Sequence, residues 1–147
     1  MSLRAWVGRY LVAVAAFLVL DLLWLGVVAV RLYERLLGDL LAEEPNALAA
    51  GAFYALFLVG LLHFVVHPAL TRRSVGRAAR DGALFGLVTY ATWDLTSLAV
   101  LADFPAALVP IDLAWGAVLS AAVASVTTAV ALRVPALDVP SDRPTGP

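Results

Sequence analysis

Asp21, Asp94 and Asp112 stand inside otherwise apolar stretches, and of all the residues in the chain they are the best placed to do chemistry. A carboxylate at the centre of a membrane helix costs about 2.5 to 3.5 kcal/mol on an insertion scale. It must find a partner, water or a proton, so an intramembrane acid is a functional candidate by default. Asp112 lies in the first turn of its stretch, where the helix dipole and free N–H groups also favour a carboxylate. Asp21 and Asp94 have no such cap role, and for them a buried acid hydrogen-bonded to Tyr, Trp, Ser or Thr for helix association stands beside a transport or catalytic role. Trp24, Tyr90 and Trp93 fall near these acids at helical spacing, so the set describes a protonatable or cation-attracting site with aromatic walls. Trp24 and Trp115 also fit interfacial anchors. His63 and His67 are spaced i, i+4 and could share one face of a helix as metal ligands. They fall at the opposite end from the acids with no third ligand nearby, so no metal site is expected. Neither a nucleophile nor a metal cluster is recognisable, and no residue is assigned a catalytic role.

The elements that carry these residues follow from composition. The chain has 147 residues, 63% hydrophobic, 14% charged and none cysteine, against about 45 to 50% and 25% in soluble domains. That balance indicates a membrane protein. Without cysteine there are no disulfides, thiol catalysis or zinc thiolate sites, and the net charge of −1 implies no nucleic-acid partner. About 20 apolar residues cross the hydrocarbon core, and four such runs stand out: residues 6–30, 47–67, 82–102 and 111–132. Asn46 is a plausible N-cap for the second, Pro68 its stop, and Pro110 precedes the fourth.

Between the first two runs, Leu32, Leu36, Leu37, Leu40 and Leu41 recur at helical spacing among charged residues. This reads as a short amphipathic helix on the membrane surface or an extension of the first span. The fold class expected is therefore all-α and polytopic, four transmembrane helices in a bundle with that short helix after the first span. Residues 1–133 form one domain, and the proline-rich residues 134–147 form a disordered cytoplasmic tail.

All ten positive charges are arginine. With the N-terminus inside, Arg4, Arg9, Arg72, Arg73, Arg77, Arg80, Arg133 and Arg143 are cytoplasmic and only Arg31 and Arg35 are not, a strong positive-inside bias. Both termini are expected in the cytoplasm of a cell-membrane (inner-membrane) protein, with the three aspartates in the outer half of the bilayer. Arg72, Arg73, Arg77 and Arg80 determine topology and could bind anionic lipid headgroups. On the third run Gly82, Gly86, Tyr90, Trp93, Asp94 and Ser97 share one side, and on the fourth Asp112, Gly116, Ser120 and Thr127 do. Small and polar faces of this kind pack against other helices, inside the bundle or between copies in a homo-oligomer.

The motifs as an ordered set resemble a family of small bacterial predicted membrane proteins known as domain of unknown function 2177. They are Asp21-Leu-Leu-Trp24-Leu-Gly26, Tyr33 with Leu37-Gly38, Pro45-Asn46, Phe64-Val-Val with Pro68-Ala69-Leu70, Gly82-Ala-Leu-Phe-Gly86-Leu, Tyr90-Ala-Thr-Trp93-Asp94-Leu-Thr96 and Asp112-Leu-Ala-Trp115-Gly116. The resemblance covers about residues 11–132 and implies a four-span inner-membrane protein with the same aspartates, but no activity, cofactor or partner. His63 and His67 depart from the family pattern. Three functions remain in competition. One is a small transporter or binding protein for a hydrophobic or cationic ligand in an outward-facing cavity. Another is a structural or assembly subunit, and the third a membrane-embedded enzyme acting on a lipid-soluble substrate. No cofactor is expected, and the bilayer is the one definite partner.

Overall fold

The computed structural model describes residues 2–139. Four helices are long and apolar enough to cross a membrane: α1 (Leu3–Leu37), α2 (Ala47–Thr71), α3 (Val75–Val100) and α4 (Leu108–Arg133). The protein is an all-α polytopic membrane protein. Its outward surface carries Leu11, Leu22, Val27, Leu56, Leu84 and Val88, all exposed, as expected where the surroundings are hydrocarbon rather than water.

α1 starts at Ser2, whose hydroxyl accepts from the Ala5 amide at 3.3 Å. It then runs unbroken for 35 residues, widening to a π-type turn at Leu25–Ala29. The amphipathic segment Val30–Leu37 is thus the extension of the first span rather than a separate surface helix. No strong breaker lies between Trp24 and Leu37, and the chain stops only at Gly38, whose φ of 47° suits glycine.

α2 is capped by Asn46, which accepts from the Ala49 amide at 3.0 Å. It continues past Pro68, contrary to the expected stop. The π-type turn at Leu62–Val66, closed by the His67 N–H on the Leu62 carbonyl, opens the backbone where the proline ring would otherwise meet the carbonyl four residues earlier. α3 begins at Val75 rather than Gly82. Ser74 caps it through the Arg77 amide at 3.2 Å, and Arg77 pairs with Asp81 at 3.2 Å across one turn, so charged residues form the helix end. α4 includes Pro110 in its first turn, where a missing N–H is harmless.

α3 and α4 make the closest pair. A Cβ on Gly82 would meet the Ser120 carbonyl at 2.8 Å, and one on Gly86 would overlap the Gly116 carbonyl. The main core joins Phe17 of α1, Phe57, Leu61, Leu62 and Val66 of α2, and Leu119 and Val123 of α4. A smaller cluster at the other end packs Leu32, Tyr33, Leu36 and Leu37 of the α1 extension against Phe104, Leu108 and Val109. The first half of α2 is largely exposed, which leaves a gap between it and the α3–α4 pair.

After α4, residues 134–139 at the start of the expected tail lie against the bundle. Pro135–Leu137 forms a 3-10 turn, Leu137 lies against Gly8 where any Cβ would collide, and Asp138 pairs with Arg73 at 2.9 Å. Residues 140–147 of the expected tail lie outside the described residues.

Candidate functional site

The gap becomes a cavity of about 420 Å³ lined by Tyr33, Phe53, Tyr54, Tyr90, Trp93 and Asp112, among other residues. Each wall comes from a different element. The α1 extension brings Tyr33, the exposed half of α2 brings Phe53 and Tyr54, α3 brings Tyr90 and Trp93, and the start of α4 brings Asp112. Phe53 is 50% exposed and Trp93 62%, so the cavity is open at its side.

Asp112 does not cap its helix. It is the fifth residue of α4 and buried, and its Oδ1 accepts a hydrogen bond from the Tyr33 hydroxyl at 2.8 Å. Asp21, also buried, accepts a longer bond from the Tyr54 hydroxyl at 3.4 Å. Asp94 is 0% exposed, and among the described residues neither of its oxygens has a hydrogen-bond partner. It faces the bundle interior and lies within electrostatic reach of Asp112. Tyr90 is the residue in common, within electrostatic reach of Asp21, Asp94 and Asp112.

Of the sequence candidates, Tyr90, Trp93 and Asp112 meet in the cavity wall. Asp21 communicates with the wall through Tyr54. Asp94 is buried and is not part of the lining. Trp24 is outside the lining but next to it, with its side chain near Tyr33, and it stacks on Trp115 with centroids 4.4 Å apart and planes 7° from parallel, a clasp between α1 and α4. Trp93 sets its ring edge-on to Phe104 at 6.4 Å. Of the acids' partners, Tyr33 stands out in the sequence only among the family motifs and Tyr54 not at all, and neither is paired there with an acid. A signal existed for Tyr54, the one hydroxyl in residues 47–67, a run without Asp, Glu, Lys or Arg. Of the arginine cluster, Arg73 is engaged by Asp138, and Arg77 and Arg80 both pair with Asp81.

A family model described as a predicted membrane protein, DUF2177, matches residues 6–129. The chain belongs to this family. All four helices of the DUF2177 protein, and every residue of the cavity wall, fall largely or wholly within the match. No curated protein and no solved structure matches the chain.

Proposed function

We propose that this protein is a small inner-membrane binding or transport protein whose ligand is a lipophilic organic cation held in the side-opening cavity. The carrying observation is the pairing of one carboxylate, Asp112, with walls of Tyr33, Phe53, Tyr54, Tyr90 and Trp93. Aromatic faces attract a desolvated cation electrostatically, by about 0.5 to 2 kcal/mol per ring, and a carboxylate supplies the countercharge. Few other surroundings suit a positive group that also carries apolar bulk. Asp94, fully buried and outside the lining, supports a packing role rather than direct contact.

The test is equilibrium binding of tetraphenylphosphonium to the full chain in detergent, followed by tryptophan fluorescence. Saturable binding is expected, at least about tenfold weaker in Asp112→Asn, in line with the loss of one charged contact. Absence of binding, or equal binding by the variant, would refute the reading.

The proposed orientation puts both termini in the cytoplasm and the cavity toward the outer face, supported by the arginine bias. Single cysteines can be placed without background because the chain has none. A membrane-impermeant thiol reagent added outside is expected to label a cysteine at Asp103 and to miss one at Ser74. The reverse pattern would invert the topology.

A further inference from the structure

A second pocket lies at the arginine-rich end, between α1 and α2, far along the helices from the aspartate cavity. It has a volume of about 190 Å³ and is lined by Trp6, Arg9, Leu62, His63, Val66 and His67. Arg9 is the unexpected member, an arginine only 3% exposed within a membrane helix. Its Nε donates to the Ala5 carbonyl at 3.1 Å, but its Nη2 is buried with no hydrogen-bond partner among the described residues. The same holds for Nδ1 of His67. Arg9 and His63 both lie within electrostatic reach of His67. The carboxylate felt by Arg9 is Asp138, and that group is in a salt bridge with Arg73 at 2.9 Å.

A buried guanidinium without a bonded counter-ion is strongly disfavoured, and removing a partner from a buried pair typically costs about 3 to 5 kcal/mol. Among the described residues the pocket is therefore short of one negative group. A metal cation is a poor candidate for the two imidazoles, because Arg9 beside them would repel it. The guanidinium fork suits an oxyanion, while Trp6, Leu62 and Val66 give the rest of the wall an apolar character.

We propose that this pocket binds the phosphate group of an anionic amphiphile. Arg9 Nη2 and the neutral His67 ring, through its Nδ1–H tautomer, donate to the phosphate oxygens, His63 stands exposed at the mouth, and the apolar wall receives the start of the chain. This site is independent of the aspartate cavity and of any ligand there.

The experiment measures thermal unfolding of the full chain in dodecyl maltoside with added dioleoylphosphatidylglycerol, dioleoylphosphatidylcholine or inorganic phosphate. Phosphatidylglycerol is expected to raise the melting temperature saturably, and the zwitterionic lipid to have no such effect. Arg9→Gln and, separately, His67→Asn are expected to weaken the apparent affinity at least about tenfold, the scale of one charge-assisted hydrogen bond. Arg80→Gln, which removes an exposed cation from the surface cluster, is expected to leave it unchanged. If inorganic phosphate reproduces the shift and both pocket variants abolish it, the source is free phosphate and the site stands. No shift with either ligand would overturn the proposal, as would a shift kept by both pocket variants or lost only in Arg80→Gln. Should Arg9→Gln fail to fold, His67→Asn decides the question, since its partly exposed ring is removed without leaving a buried charge.

Discussion

Gly86→Leu is expected to prevent the bundle from closing. The added side chain would begin inside the space of the Gly116 carbonyl, and the Ser120 hydroxyl stands beside it. Overpacking a core usually costs about 1 to 3 kcal/mol because side chains yield. Here the obstacle is backbone, held in the hydrogen bonding of α4, so the loss should exceed that range and even Gly86→Ala should be strongly destabilising. Gly116→Leu drives into the ring of Tyr90, which can move, and so should damage the cavity wall as well as the helix contact. Gly51 has nothing within 4 Å of its would-be Cβ, so Gly51→Ala is the tolerated control. Thermal unfolding in detergent, followed by circular dichroism, reads all four. Unchanged melting of Gly86→Leu would show that α3 and α4 do not meet as described.

The second large effect separates two aspartates that look alike in sequence. Asp112→Ala leaves the Tyr33 hydroxyl without its acceptor, which stands 2.8 Å away, and a buried donor stripped of its partner costs about 1 to 3 kcal/mol. It also loosens the α1 extension from the start of α4. Asp94→Asn breaks no hydrogen bond among the described residues and removes the charge that opposes Asp112. A buried charge without a partner is costly to keep, so a neutral group of similar shape in its place relieves that cost. The expected order of stability is Asp94→Asn at or above wild type, with Asp112→Ala clearly below. If Asp94→Asn were the less stable of the two, Asp94 would have a partner outside the described residues.

What the sequence made legible was set by one-dimensional regularities. Apolar run length and proline and arginine placement located four helices, and helical spacing put Gly86, Asp94, Gly116 and Ser120 on inward faces. Boundaries slipped where backbone adaptation overrode a residue's usual meaning. Pro68 is accommodated by the widened turn before it, and Arg77 and Arg80 belong to a helix because their charges are met by Asp81. The acids' partners were not legible. Tyr33 is 79 residues from Asp112 and Tyr54 is 33 from Asp21, and helical periodicity carries no information on the relative register of separate helices. Arg9 went unread for a similar reason. At the start of a span it resembles any topology-setting arginine, and only the packing of α2 and the Leu137 turn over that end encloses it.

The open side of the aspartate cavity, where Phe53 and Trp93 meet the surroundings, changes what an affinity would mean for this protein. On the proposed reading, a ligand entering there would arrive from the acyl chains, and its effective concentration would be that in the bilayer rather than in the aqueous phase. Each methylene added to a cationic ligand favours partition into lipid by about 0.8 kcal/mol, roughly a fourfold enrichment. Apparent binding in vesicles should therefore strengthen with ligand chain length even where the extra carbons touch no residue of the cavity, and at fixed total ligand it should weaken as more lipid is added.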